Sequence, residues 1–172
     1  GIIQDITCFL ATTMMRGLPW MFYPTTLLAQ SDSCIGSKSS INSGELKNIL
    51  GTFTPPEQVV IDVEFLQTLE EKDIFSGIGE MIKVHAINSP ESFDEISKNY
   101  EQLINDSFVL EKFIFDSLVM KKKLIEIDEF DSGPRNVMNY GHSFGHAIES
   151  ATNYTIPHGI AVTIGMDIAN YV

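Results

Sequence analysis

At 172 residues the chain has room for one ordinary domain or two small ones. With 44% hydrophobic and 20% charged residues it reads as globular, and no apolar run marks a membrane span or a secretory signal. A formal net charge of −12 argues against nucleic acid as partner, since neutralising phosphates needs a basic surface, yet a few converging lysines still admit an anionic small molecule. Cys8 and Cys34 form no CxxC pair and read as reduced core residues of a cytoplasmic protein. The chain opens on an apolar run without methionine and stops inside the helical pattern GMDIANYV, so it is expected to be a piece of a longer protein.

Residues 2–16 are predicted to form a helix. LPWMFYPTT then reads as a short strand ending at Pro24, followed by a brief helix around 27–32. CIGSKSSINSGELKN reads as a Gly/Ser-rich loop or hairpin, and QVVIDVEFL as containing a short buried strand. Beyond about residue 70 the pattern is mostly helical. DIFSGIGEMIKVHAI is one helix; SPESFDEISKNYEQLIND is another, with Ser89 as cap, Pro90 in the first turn and an apolar stripe of Phe93, Ile96, Tyr100 and Leu103. Residues 107–127, GPRNVMNYGHSFGHAIESA and 158–172 supply three more. The fold class is therefore α+β and predominantly helical, with the expected domain boundary near residue 70 separating 1–70 from 71–172.

Several polar residues stand where the pattern asks for apolar ones. Arg135, Asn139, His142, His146 and Glu149 follow at spacings of three and four, which places them on one face if 133–151 is a single helix. Such a stripe is either a solvated face or a functional one. Gly141 and Gly145 leave room for another backbone to approach. The HxxxH spacing suits zinc, although the HExxH metalloprotease motif is absent. His158, after Pro157, either simply opens a helix or folds back as a third ligand. Glu80 and Lys83 are, histidine aside, the only charged residues between 74 and 87, on a helix expected to be buried. They are either a mutual ion pair or a metal ligand and an anion-binding ammonium. Lys121 interrupts the apolar face Leu110, Ile114, Leu118, Ile125; it either snorkels or projects into an anion site. Asp32, Lys38, Lys47 and Asn48 lie on or beside the glycine-containing loop, which is neither a P-loop nor GxGxxG. Together these residues suggest a divalent metal and an anionic, hydroxylated or carbonyl substrate.

RGLPWMFYPTTLLAQSDSCIGSKSSIN, LKNILGTF, GIGEMIK, DSGPRNVMNYGHSFGHAIE and HGIAVTIGM resemble 3-dehydroquinate synthase and the wider sugar-phosphate cyclase family across all 172 residues. The resemblance implies that 1–70 is the C-terminal part of an NAD-binding α/β domain and 71–172 a helical metal- and substrate-binding domain, truncated at its C-terminus. It implies zinc, or another divalent metal such as cobalt, on Glu80, His142 and His158, with His146 a phosphate or proton-transfer residue instead of a ligand. Substrate contacts fall on Asp32, Lys38, Lys83, Lys121, Arg135, Asn139 and His146. The resemblance likewise implies NAD contacts at Asp5, Thr25, Thr26, Lys47 and Thr68, with Asn48 shared with substrate, and an Arg16 that reaches the neighbouring subunit's site in an expected homodimer.

The implied reaction belongs to the shikimate pathway of aromatic amino acid biosynthesis. A ring hydroxyl of a heptulosonate 7-phosphate is oxidised with hydride passing to NAD, phosphate is eliminated, the hydride returns, and an intramolecular aldol step closes the carbocycle. Three positions depart from the family pattern: Ser37 replaces a glycine, Ile160 an acidic residue, and SSIN a Thr-Gly/Ala pair. With Ile160, the acceptor that normally orients a metal-bound histidine is unassigned for His158. The set Lys83, Lys121, Arg135, Asn139 and His146 favours a dehydroquinate synthase over cyclases of other sugar phosphates. An iron- or zinc-dependent alcohol or glycerol dehydrogenase and a non-catalytic metal-binding remnant are the rival readings. The 172 residues alone are expected to be inactive.

Overall fold

A computed structural model describes residues 2–44 and 46–172, apart from the side chains of Asn42, Leu46, Lys47 and Asn48. Helix α1 (Ile2–Thr13) runs into a 3-10 turn, Met14–Arg16, where Met15 (φ 51°) and Arg16 (φ 69°) turn the chain out of the helix. Strand β1 (Met21–Phe22) is short and pairs in parallel with β4 (Gln58–Val59). Between them a helical turn widens into a π-helical segment, Ala29–Ser33. An antiparallel hairpin of β2 (Lys38–Ser43) and β3 (Leu46–Phe53) follows, with a register shift between Ile41 and Ser43. α1 lies against this hairpin, and the Thr52 hydroxyl donates to that of Thr12 at 3.3 Å.

QVVIDVEFL is not the buried strand expected of it. Only Gln58–Val59 is paired, neither residue is buried, and the chain passes into a 3-10 helix, Val63–Thr68. The Asp62 carboxylate causes the switch by accepting the Glu64 N–H at 2.9 Å, a local cap that competes with further extension.

The helical part comprises α2 (Glu71–Asn88), α3 (Pro90–Lys98), α4 (Tyr100–Asn105), α5 (Ser107–Ile127), α6 (His142–Ala151) and α7 (His158–Tyr171). Ser89 caps α3 as expected, its hydroxyl accepting the Ser92 N–H at 3.2 Å. The helix predicted to continue through 106 is divided at Asn99, whose side-chain amide folds back to the Glu95 carbonyl at 2.8 Å. Of its stripe, Ile96 and Leu103 are buried, while Phe93 and Tyr100 remain largely exposed. Ile96 and Leu103 join Leu27, Leu66, Ile78, Met81, Leu110, Phe113 and Ile114 in a core that draws on both sides of residue 70.

The single helix expected over 133–151 is also two pieces. A 3-10 helix, Pro134–Asn139, stops at Tyr140, and α6 begins after Gly141 at φ +76°. That left-handed conformation suits glycine and cannot continue a right-handed helix. α6 and α7 then pack as a pair, and α7 crosses α2 backbone against backbone. A Cβ on Gly159 would sit 1.8 Å from the Ser76 carbonyl oxygen. The Gly159 N–H, one of the unsatisfied donors of the first turn, is taken by the Ser76 hydroxyl at 2.9 Å. This crossing brings Glu80 of α2 to the first residue of α7, His158. Among the described residues no helix is long and apolar enough to cross a membrane.

Candidate active site and metal centre

α2 carries Glu80 and Lys83 fully into the interior, at 1% and 2% exposure. Lys83 Nζ donates to Glu80 Oε2 at 2.6 Å, so the ion pair that was one of the two sequence readings is present. It satisfies only half of the carboxylate. Glu80 Oε1 is buried without a hydrogen-bond partner and faces His158 Nε2 at 3.7 Å. A buried carboxylate oxygen left without a donor is costly, which makes it a natural ligand atom.

His142 opens α6 directly after the Gly141 turn. Its Nδ1 lies 3.2 Å from the Tyr140 carbonyl oxygen. Only a protonated nitrogen pairs with a carbonyl, so Nδ1–H donates there and the Nε2 lone pair is free for a metal. Burial, helped by the Lys83 charge, holds the His142 imidazole below its ordinary pKa, in the neutral form that ligation requires. The His142 and His158 ring centroids are 5.2 Å apart. Glu80, His142 and His158 each offer one ligand atom, all within 4.8 Å of one another. Two imidazole nitrogens and a carboxylate oxygen are a zinc donor set that leaves a coordination position open for substrate or water. The residues present therefore fit a divalent metal.

His146 follows one turn later on α6, exposed, with its ring 5.4 Å from that of His142 and 5.8 Å from that of His158. It also enters a second grouping, with Glu149 and His158, of ligand atoms within 4.8 Å. Glu149 is buried, and its Oε1 lies 3.2 Å from His158 Nδ1. In sequence Glu149 shows only as a member of the polar face, and its spacing of seven from His142 on a continuing helix is the signal that pairs it with the histidines.

Lys121 of α5 is buried, not snorkelling. Its ammonium donates to the Asp32 carbonyl oxygen at 2.5 Å and lies 3.1 Å from Asp32 Oδ1. Burial works against the Asp32 charge, but Lys121 and then Lys83 outweigh it and hold the carboxyl below its usual range. Lys38, at the start of β2, is exposed and pairs with Asp131 Oδ2 at 2.5 Å.

The break at 140–141 takes Arg135 and Asn139 off the histidine helix, so the five-residue stripe does not exist as one helical face. Arg135 is buried against Gly36, and its Nη1 donates to the Glu129 carbonyl at 2.8 Å. Asp128, which no sequence signal singled out, holds the loop before it by accepting the N–H groups of Ser132, Gly133 and Arg135 at 2.8–3.2 Å. Asn139 is exposed at the end of its 3-10 turn.

Asp5, Lys38, His146 and His158 line one cleft of about 780 Å³ together with Ser39, Ser40 and Ile41. Thr25 and Thr26 line a separate cavity of about 590 Å³ beside Trp20 and Phe22, and Thr26 Oγ1 accepts the Ala29 N–H at 3.2 Å. Thr68 lines neither; its hydroxyl returns to the Phe65 carbonyl at 3.4 Å. The side chains of Lys47 and Asn48 lie outside the described residues. Arg16 is exposed at the kink after α1.

Two family profiles divide the chain between them: one described as 3-dehydroquinate synthase N-terminal matches residues 1–76, and one described as 3-dehydroquinate synthase C-terminal matches 77–172. The chain is 46% identical over 173 residues to a 3-dehydroquinate synthase of Dictyoglomus thermophilum, covering 99% of this chain and 49% of that protein. It is 43% identical over 168 residues to that of Geobacter metallireducens, covering 96% and 47%. It thus spans about half the length of the curated relatives it matches. Among solved structures, a 2-epi-5-epi-valiolone synthase from Streptomyces hygroscopicus subsp. jinggangensis, with NAD+ and Zn2+ bound, superposes with a TM-score of 0.89 at 28% identity, covering 98% of this chain and 48% of that one. A 2-deoxy-scyllo-inosose synthase complexed with carbaglucose-6-phosphate, NAD+ and Co2+ gives 0.82 at 28% identity, covering 98% and 47%.

Proposed function

Because the chain belongs to the 3-dehydroquinate synthase family, we propose that it is part of an NAD- and metal-dependent carbon–oxygen lyase that converts a heptulosonate 7-phosphate to a carbocycle with release of phosphate. One observation carries the reading: the ligand atoms of Glu80, His142 and His158 converge beside a cleft lined by Lys38 and His146. Bound there, a divalent cation supplies Lewis-acid stabilisation of oxygen charge and orients ring hydroxyls. NAD, when bound, supplies a reversible hydride acceptor that is regenerated in the cycle.

The chain's own residues do the positioning. Lys83 is fixed by Glu80 and Lys121 by Asp32, so two ammonium groups are set without side-chain freedom to lose on binding an anion. Lys38 and Arg135 add charge for phosphate and carboxylate, and Arg135 presents the planar fork that suits both. His146, exposed to the cleft, holds or moves a proton at a ring nitrogen during phosphate loss. Asn139 contributes a neutral hydrogen-bonding group to substrate. Asp5, Thr25, Thr26, Lys47, Asn48 and Thr68 are assigned to NAD, 1–70 to an NAD-binding unit and 71–172 to the metal- and substrate-binding unit. Arg16 serves the neighbouring subunit of a homodimer. Two free, buried cysteines suit a reducing cytoplasmic setting in the shikimate pathway. The 46% and 43% identity to the two synthases of this name, against 28% to the two other cyclases, favours the heptulosonate over other sugar phosphates.

The test uses a protein of the relatives' full length carrying this sequence. Metal content collapses in Glu80→Ala, His142→Ala and His158→Ala and survives His146→Ala. The parent releases phosphate from the heptulosonate phosphate without net NADH. Metal lost from His146→Ala but kept by Glu80→Ala refutes the ligand set, and net NADH from a simple alcohol refutes the lyase in favour of a dehydrogenase.

A further inference from the structure

His158 is the first residue of α7, and its two ring nitrogens face different carboxylates. Nε2 lies 3.7 Å from Glu80 Oε1, and Nδ1 lies 3.2 Å from Glu149 Oε1. A neutral imidazole carries one N–H, and an ionised carboxylate only accepts. Of the two carboxylates, Glu80 already takes a proton donor from Lys83 and keeps its second oxygen free on the side of His142. Placing the His158 proton on Nδ1 leaves the Nε2 lone pair directed at that oxygen's side, where His142 also presents Nε2 because its own Nδ1 is bound to the Tyr140 carbonyl. Both histidines are then held in one way: Nδ1 anchored to an acceptor, Nε2 presented inward. Ile160, two residues into α7, is apolar and offers no side-chain acceptor in place of Glu149.

We propose that Glu149 is a positioning residue for the metal centre, accepting the Nδ1–H of His158 and thereby fixing the tautomer and ring direction that aim Nε2 at Glu80 and His142. The inference rests on the three-ligand reading of the preceding subsection. Glu149 reaches His158 from α6, where it sits two turns beyond His142, so one helix supplies both a ligand and the anchor of another ligand. A carboxylate behind a ligating histidine raises its basicity and restricts its rotation, and loss of such a partner weakens metal binding by roughly 10–100-fold. The competing arrangement, in which Glu149 is itself a ligand with His146 and His158, uses the same atoms differently and is separated by experiment.

The experiment measures zinc affinity of the full-length protein by competition with a chromogenic chelator, with folding of each metal-free variant checked by circular dichroism. Glu149→Gln, which keeps size but not the charge, is expected to bind zinc roughly 10–100-fold more weakly. Glu149→Asp, which keeps the carboxylate charge that Gln lacks, recovers part of that loss, and it carries the test should Glu149→Gln not fold. Because Glu149 acts through His158, the double variant His158→Ala/Glu149→Gln binds zinc no more weakly than His158→Ala alone. Parent affinity in Glu149→Gln, or losses that multiply in the double variant, overturns the proposal; the second result makes Glu149 a ligand. Parent affinity in His158→Ala sinks the three-ligand reading itself, and so is distinguishable from failure of the role given to Glu149.

Discussion

Buried charged side chains locate the chemistry residue by residue, since each needs a reason to be inside. Glu80 and Lys83 answer one another, as do Asp32 and Lys121, yet the first pair leaves a carboxylate oxygen over. Their presence on apolar faces was visible in the sequence. Their partners were not, because Lys121 and Asp32 are 89 positions apart and meet only in the folded chain. His85 is the buried histidine that serves no site: its Nδ1 lies 2.8 Å from the Ser92 hydroxyl, and its ring packs on Phe113. Burial holds its pKa below the ordinary 6.5. The unfolded chain therefore binds more protons than the folded one just below 6.5, so this contribution to stability is full above that pH and is lost as pH falls through it toward the folded value. The urea midpoint should fall less between neutral and mildly acidic pH in His85→Asn than in the parent. An undiminished pH dependence would show that His85 is not its source.

Elements were legible where their signals are local. The Ser89 cap, the Pro90 start and the span 107–127 depend on neighbouring residues only, and they appear as read. Breaks at Asn99 and at Tyr140–Gly141 were missed because apolar and polar spacings continue across them, while a single side-chain bond or a positive φ ends the helix. The second break matters most, since it detaches Arg135 and Asn139 from the histidines. The crossing of α2 and α7 is set by Gly79 and Gly159, at which an added Cβ would meet backbone at 2.4 and 1.8 Å. Gly159→Ala must therefore push the helices apart, with a loss of about 1–3 kcal/mol or more in unfolding free energy. Because the crossing carries Glu80 to His158, zinc affinity should fall in the same variant. Unfolding curves and chelator competition on one sample check both, and unchanged values in each would show that the helices do not touch there.

At the scale of the whole molecule, α1 turns Ile2 (79%), Ile3 (83%), Ile6 and Leu10 to solvent, a continuous apolar surface on a chain that spans about half the length of its relatives. The 172-residue chain should bind an apolar fluorescent dye. Ile3→Lys/Leu10→Lys should lower that signal while changing unfolding free energy by only about 0.5 kcal/mol, the usual range for surface sites. A dye signal indifferent to the pair would place the apolar surface elsewhere.

The sequence by itself determined the class, the helical second part, the inward Glu80, Lys83 and Lys121, and a histidine cluster suited to metal. Composition, caps and helical period are properties of neighbouring residues and need no fold to act. Only the tertiary structure decided which carboxylate oxygen is left without a donor, which nitrogen of His158 faces which glutamate, and where Arg135 goes. The first two depend on how closely α2, α6 and α7 approach one another, and that distance is set at Gly79, Gly141 and Gly159, each next in sequence to a ligand but packed against backbone far along the chain.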